Sequence, residues 1–148
     1  MALRFQGSLD IGAPREKVWA FLLDPHAVSQ CLPDVQSLEV LEAGKFKAVV
    51  RVGVGFIKGN FGFDVAMTDL AAPSHARITG RGGGLGSAVD VQSSVDLAEG
   101  AGGTTRLDWT ADVVVSGTIA SVGGRVLSGT VEKKTTELFA CLKTRLEG

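Results

Sequence analysis

Residue types that usually mark a catalytic or metal site are scarce in this sequence. The 148 residues include no tyrosine, two histidines and two cysteines. Tyrosine is a common general acid and polar anchor in ligand cavities, so any cavity in this protein has to work without one. Cys31 and Cys141 show no C-x-x-C spacing and have no histidine pair nearby, so we expect two separate, half-buried thiols instead of a disulfide framework or a zinc site. No catalytic residue and no metal ligand is predicted.

An excess of one charge and a long hydrophobic run are also missing. The formal net charge is -1, whereas nucleic-acid binding depends on clustered lysine and arginine, so nucleic acid is not an expected partner. The longest apolar run, Val18 to Leu23, is far shorter than the roughly 20 residues that span a bilayer. The alternating start of the chain lacks the continuous apolar core of a signal peptide. We therefore expect a cytoplasmic protein with one domain over residues 1–148.

What the sequence does contain is a series of segments that alternate between apolar and polar residues. In the segment 58–70, Phe61 and Phe63 alternate with polar residues such as Asn60 and Asp64, which is typical of a strand with one buried face. In the segment 105–117, Trp109 lies on the apolar side. Seven strands are predicted, at 3–11, 35–41, 45–54, 58–70, 76–82, 87–97 and 105–117.

Helical patterns occur at two places. Pro14 and the pair Asp24-Pro25 each suit the first turn of a short helix after the first strand. From Ile119 to Leu146 the apolar residues recur with a period of about 3.6, which predicts one long amphipathic helix. The expected fold is α+β, with a seven-stranded curved antiparallel sheet wrapped around one long C-terminal helix.

This arrangement predicts an apolar cavity. A helix about 10 Å wide cannot fill the concave side of seven strongly twisted strands. Small residues at predicted inward positions, among them Gly7, Ala48, Gly80 and Ala111, leave part of that side unfilled. Charged side chains point outward from the strands, so the inner face suits an apolar ligand better than a reaction that needs a positioned acid or base.

The residues predicted to contact a ligand lie on the inner face of the sheet and on the last helix. Phe61, Phe63 and Trp109 either line the cavity or pack in the core, and the pattern allows both. Gly123 and Gly124 either let a ligand or the sheet approach the helix backbone or belong to a loop before a helix that starts near Arg125.

Three helix residues complete the predicted site. Leu127 and Val131 lie on the apolar side of the long helix. Thr135 lies near the same side, where its hydroxyl can donate to the head group of a ligand or bond to its own backbone.

The turns between strands carry apolar residues of their own. Phe56 and Ile57 lie at a hairpin tip beside Lys58, and Leu85 lies in a glycine-rich turn. Exposed apolar side chains often mark a contact site, so these three residues are predicted to contact a membrane or to form a lid, with folding back over the cavity mouth as the alternative.

The order of these elements resembles the CoxG family of carbon monoxide dehydrogenase subunits. The likeness is carried by Pro14-Arg15-Glu16-Lys17-Val18-Trp19, Cys31-Leu32-Pro33-Asp34-Val35, Val52-Gly53-Val54-Gly55 and the segment 117–123. It differs from the usual family pattern at Asp34, where glycine is common, and at Gly124, a second glycine near the start of the long helix.

The resemblance implies a START-like helix-grip fold and a non-enzymatic accessory protein of a carbon monoxide dehydrogenase-type molybdenum hydroxylase. It implies a hydrophobic small molecule as ligand, with menaquinone or ubiquinone as the candidate and no covalently bound cofactor. It also implies a link to the membrane, with peripheral contact at its inner face. The alternatives are a START-like enzyme of the polyketide cyclase/dehydratase type and a docking or assembly protein whose cavity is incidental.

Overall fold

The computed structural model describes residues 1–148 and confirms the expected α+β architecture. Seven strands form one antiparallel sheet in the order β1-β7-β6-β5-β4-β3-β2. Each strand from β2 to β6 pairs with the next in the chain, and β1 pairs with β7. The strands are β1 (Ala2–Ile11), β2 (Val35–Glu42), β3 (Lys45–Val54), β4 (Ile57–Ala71), β5 (His75–Gly84), β6 (Ser87–Glu99) and β7 (Thr105–Gly117).

Three α-helices accompany the sheet: α1 (Arg15–Leu22), α2 (Pro25–Ser29) and α3 (Gly124–Glu147). A side-chain cap starts α2, since the Asp24 Oδ1 accepts hydrogen bonds from the backbone N–H groups of His26 at 3.0 Å and Ala27 at 3.3 Å. This is the capping role that the Asp-Pro pair predicts. No helix has both the length and the apolarity that crossing a bilayer requires.

The long helix begins five residues later than its periodicity predicts. Residues 118–122 form a short 3-10 turn, and Gly123 follows with φ +100°. Residues other than glycine rarely adopt that backbone conformation, so the chain leaves the turn there and α3 starts at Gly124. Gly124 is thus the first residue of the helix, and Gly123 directly precedes it. This is close to the alternative expectation, in which both glycines lie in a loop before a helix that starts near Arg125.

The core consists of two apolar clusters that α3 connects. Leu127, in the first half of α3 (residues 124–135), packs in a cluster with Phe61 and Val113. Leu142 and Leu146, in the second half (residues 136–147), pack in the other. Trp109 lies against both clusters.

Polar contacts hold the second half of α3 in place. Arg145 Nη1 donates to Gln30 Oε1 at 2.8 Å, and Lys17 Nζ donates to the Leu146 carbonyl at 2.9 Å. At the end of the helix, the Glu147 carboxylate accepts a hydrogen bond of 2.7 Å from the backbone N–H of Gly12. These contacts join the C-terminal turns to α1, the segment after α2 and the end of β1.

Cys31 and Cys141 form a disulfide, so the prediction of two separate thiols is wrong. Their Cα atoms lie 5.6 Å apart although the residues are 110 positions apart in sequence. Cys31 follows α2 and Cys141 lies in α3, and they meet because the segment after α2 lies beside the last helix, where Gln30 also bonds to Arg145. No local spacing in the sequence could reveal it.

The disulfide should stabilise the fold measurably. It closes a loop of about a hundred residues, so replacing both cysteines (Cys31→Ser, Cys141→Ser) should lower the free energy of unfolding by about 2–5 kcal/mol in urea denaturation. A reductant should lower the stability of the natural sequence and leave the double variant unchanged. Two thiols titrating in denaturant without reductant would contradict the assignment.

Candidate functional site

A cavity of about 370 Å³ lies between the first half of α3 and the sheet. Its wall includes Phe61 and Phe63 from β4, Val113 from β7, and Leu127 and Val131 from α3. Twelve of its seventeen lining residues are hydrophobic. A space of this size and lining suits a small organic molecule with a largely apolar body.

A second cavity of about 250 Å³ lies next to the first, between α2 and the sheet. Val28 and Leu32 line it from the α2 side and Met67 from β4, and twelve of its fourteen lining residues are hydrophobic. Val50 and Phe63 line both cavities. The Phe63 side chain therefore lies where the two spaces meet.

Phe63 can occupy this position because Gly82 faces it on β5. The two residues are cross-strand partners, and a Cβ atom on Gly82 would lie 2.7 Å from Cδ1 of Phe63. The same Cβ atom would overlap the backbone carbonyl of Gly62, so a larger residue at this position would displace the β4 backbone as well as the ring. The close approach explains why the inner face of β5 carries glycine at this point.

The largest depression of the surface lies elsewhere, on the outer face of the sheet, and it is a poor candidate. It has a volume of about 610 Å³ and is lined by charged side chains including Lys45, Asp64, Arg81 and Asp90. Arg81 Nε lies 2.8 Å from Asp90 Oδ1, and both side chains face water. This is an ordinary solvated sheet face.

The mouth of the 370 Å³ cavity lies beside a free strand edge. β2 pairs with β3 only as far as Val50, which lies opposite Val35. The end of β3 from Val52 to Val54 therefore has a neighbour only on the β4 side. The first half of α3 lies across the cavity from this edge, and the opening is between them.

Charged residues gather at this mouth. Lys134 Nζ lies 2.8 Å from Asp34 Oδ2 and 3.9 Å from Glu137 Oε2. The hydrogen bond to Asp34, together with the charges of Asp34 and Glu137, raises the pKa of Lys134 above its usual value. Arg51 and Thr130 are the other polar side chains of the lining.

The predicted site residues fall into two groups. Phe61, Phe63, Leu127 and Val131 line the 370 Å³ cavity; that they contact a ligand stays a prediction. Phe61 and Phe63 have ring centroids 6.4 Å apart.

Trp109 and Thr135 lie outside the cavity, contrary to expectation. They line a shallow groove elsewhere along α3, where the Trp109 ring centroid is 5.6 Å from that of Phe139. Trp109 is a packing residue, because its indole also covers Gly7. The alternation of apolar and polar residues correctly identified which face of β7 points inward. It could not show that the cavity extends along β7 only as far as Val113 and Val115.

Gly123 and Gly124 also do not line the cavity. A Cβ atom on Gly124 would lie 3.7 Å from the side chains of Met1 and Leu3, so the helix start packs against the beginning of β1. These glycines shape the turn before α3, and their predicted approach to a ligand is not what the structure shows.

The three predicted tip residues also separate. Phe56 and Leu85 are exposed to 67% and 52%. Ile57 is exposed to only 4% and belongs to the core, so its predicted membrane or lid contact is wrong. The reason is strand alternation: β4 begins at Ile57, which shares the inward face of Phe61.

The charged mouth residues Asp34, Arg51 and Lys134 were not predicted as site residues. Lys134 could have been found, because it lies three residues after Val131 and seven after Leu127 and so shares their helix face. Asp34 and Arg51 carry no such pattern. Their place follows from where β2 stops covering β3.

Comparison with known structures places this cavity in a START-like fold. A START superfamily protein from Mycobacterium smegmatis has 16% identity and a TM-score of 0.77, with 97% of each chain covered. The Zhui aromatase/cyclase from Streptomyces sp. R1128 has 17% identity and a TM-score of 0.72, covering 99% of this chain and 94% of that one. At these identities the likeness concerns the fold alone.

The chain itself belongs to the CoxG family of carbon monoxide dehydrogenase subunits, whose model matches residues 7–147. A conserved protein from Geobacillus kaustophilus has 28% identity and a TM-score of 0.90, covering 98% of this chain and 95% of that one. A search of curated proteins found no match. The predicted family and fold are thereby confirmed.

The packing of Trp109 on Gly7 gives a direct test of its core role. A Cβ atom on Gly7 would lie 2.8 Å from Trp109 Nε1, whereas one on Gly62, in β4, would meet nothing within 4 Å. Gly7→Ala should therefore lower the free energy of unfolding by about 1–3 kcal/mol. Gly62→Ala, the matched control, should change it by less than about 1 kcal/mol in either direction. If the two variants changed the free energy of unfolding equally in urea denaturation, Trp109 would not be packed tightly against Gly7.

Proposed function

We propose that this protein is a non-enzymatic carrier of a hydrophobic ligand, a quinone such as menaquinone or ubiquinone, and that it serves a carbon monoxide dehydrogenase-type molybdenum hydroxylase. The observation that carries the proposal is the apolar cavity of about 370 Å³ under the first half of α3. Membership of the CoxG family supports the hydroxylase as the partner.

The shape of the two cavities suits a molecule with a flat ring and an apolar tail. Phe61 and Phe63 offer ring faces and edges on the cavity wall, which is a favourable environment for an aromatic or quinonoid ring. The 250 Å³ cavity continues past Phe63 toward α2 and can accept part of an apolar tail. The polar groups of the lining lie at the mouth, where the oxygen atoms of a head group would remain near water.

The enzyme alternative has one observation in its favour, the charged pair Asp34 and Lys134 at the mouth. A general acid or base must reach the reacting atom within hydrogen-bond distance, and the deep wall of the cavity offers aliphatic and phenyl side chains. Ser93, in β6, donates its hydroxyl to the Thr110 carbonyl at 2.8 Å and so is not free to act as an acid. The carrier is the better-supported function.

The hairpin tips give the carrier a surface for membrane contact. The turn at Gly55 lies against Val122, and the Leu85 side chain covers Gly59, so the tips of two hairpins and the turn before α3 meet at one end of the molecule. Exposed Phe56 and Leu85 lie there, together with exposed Lys58. Apolar side chains beside cations suit the interface of an anionic membrane.

Filling the cavity should weaken ligand binding. Val131 lines the cavity, so Val131→Phe should place a ring inside it and weaken binding of decylubiquinone by about tenfold or more. Quenching of tryptophan fluorescence or native mass spectrometry of detergent-free protein measures the binding. Val114→Phe makes the same change on the exposed outer face of β7 and should bind like the natural sequence. Failure of the natural sequence to bind any quinone would refute the proposal.

Replacing the exposed apolar side chains at the hairpin tips should weaken membrane binding without affecting the cavity. Phe56→Ser or Leu85→Ser should each reduce co-sedimentation with vesicles containing phosphatidylglycerol by about tenfold, since each loses the burial of one large apolar side chain. Leu41→Ser is the matched control, because Leu41 is exposed to 52%, as is Leu85, but lies at the β2–β3 hairpin. Equal loss in all three variants, or no vesicle binding by the natural sequence, would exclude this surface.

A further inference from the structure

The two halves of α3 are attached to the rest of the protein very differently. The second half carries the disulfide at Cys141 and the hydrogen bonds of Arg145, Leu146 and Glu147. From the first half, the polar contact that reaches another element is the one between Lys134 and Asp34. The hydroxyl of Thr130 bonds within the helix, to the Val126 carbonyl at 3.1 Å.

This single contact crosses the cavity mouth. Asp34 is fixed to the sheet, because its carbonyl accepts a hydrogen bond of 2.7 Å from the backbone N–H of Arg51 in β3. Lys134 lies on the opposite side of the opening, in α3. The Asp34–Lys134 ion pair thus joins the two walls between which a ligand would have to pass.

The Asp34–Lys134 ion pair can separate at little cost in free energy. Both side chains are partly exposed, to 48% for Lys134 and 37% for Asp34, and ion pairs exposed to this degree contribute little to stability. Once separated from Asp34, the Lys134 ammonium would lie at the mouth with Glu137 Oε2 3.9 Å away and with N–H groups available to donate. The Arg51 guanidinium, exposed beside it, has no carboxylate within 4.0 Å.

We propose that the Asp34–Lys134 ion pair is a latch across the cavity mouth, and that Lys134 on opening donates a hydrogen bond to an oxygen atom of the ligand's head. The inference rests on the proposed ligand-binding function and adds two things to it: control of exchange, and a preference for amphiphiles whose head carries an accepting oxygen. Both a quinone carbonyl and a carboxylate provide that oxygen. This class of ligand follows from the hydrogen-bond donors of Lys134 and Arg51 at the mouth and from the apolar interior of the cavity.

Three variants separate the two roles of the pair. Asp34→Asn removes the latch and keeps Lys134, whereas Lys134→Met removes both the latch and the head-group donor at nearly constant length. Glu42→Gln is the matched control, because it breaks the exposed Lys45–Glu42 pair of 3.2 Å far from the mouth. Thermal unfolding of each variant checks that the fold is retained.

Exchange is measured by stopped-flow fluorescence with N-phenyl-1-naphthylamine, an apolar probe that has no oxygen atom. Asp34→Asn and Lys134→Met should each raise both its association and dissociation rates by about two- to fivefold, the factor that matches the free energy of an exposed ion pair. Its dissociation constant should stay unchanged. The natural sequence at high salt should show the same acceleration, because salt screens an exposed pair.

Head-group recognition is measured by displacement of the probe with decylubiquinone and with dodecanoate. Lys134→Met should weaken binding of these oxygen-bearing ligands by about tenfold, as expected for one lost hydrogen bond to a charged group, and Asp34→Asn should not weaken it. Weakening of both ligands assigns the contact to any accepting oxygen, and weakening of dodecanoate alone assigns it to a carboxylate.

The outcomes of these experiments distinguish a failure of the latch from a failure of the proposed ligand-carrier function. Probe binding by the natural sequence, with rates in Asp34→Asn and Lys134→Met equal to those of Glu42→Gln, would overturn the latch and leave the carrier in place. Unchanged affinity of both oxygen-bearing ligands in Lys134→Met would overturn the head-group contact. If no probe bound to the natural sequence or to any variant, the carrier function would fail and the latch with it.

Discussion

The packing of the second half of α3 against the sheet is the interaction on which the rest of the structure depends. Leu142 and Leu146 are buried with Ile11 and Leu107 in one cluster, and the disulfide at Cys141 adds a covalent connection. Because a helix is stiff over a few turns, anchoring one half also determines the path of the other. The first half therefore extends over the open part of a curved sheet that it is too narrow to fill, and the cavity is the space left between them.

Strand alternation in the sequence is enough to predict the composition of this space. The period of β4 identified Phe61 and Phe63 correctly, because a half-buried strand forces every second residue inward. The same rule, extended toward the start of the strand, would have shown that Ile57 is buried; treating it as part of a loop led to the error. The helical period likewise led to Leu127 and Val131.

The features that the sequence could not predict depend on how far each strand extends and on which helices and strands lie next to each other in the fold. Trp109 is inward-facing as predicted, yet β7 is long enough for its inner face to serve the cavity at Val113 and the core at Trp109. Cys31 and Cys141 meet because the segment after α2 lies beside α3, which no local pattern encodes. The mouth exists because β2 stops opposite Val50, and the end of a strand pairing is among the features that single-sequence patterns define least well.

The contact between Phe63 and Gly82 has a consequence for which substitutions the shape of the two cavities tolerates. The ring stays back against the sheet because its cross-strand partner has no side chain, and the same glycine lets the Gly62 carbonyl of β4 approach the β5 backbone closely. A side chain at position 82 would therefore have to displace the β4 backbone as well as the ring. The shape of the junction between the two cavities is therefore tied to the close approach of β4 and β5, and it cannot change at position 82 without moving a strand.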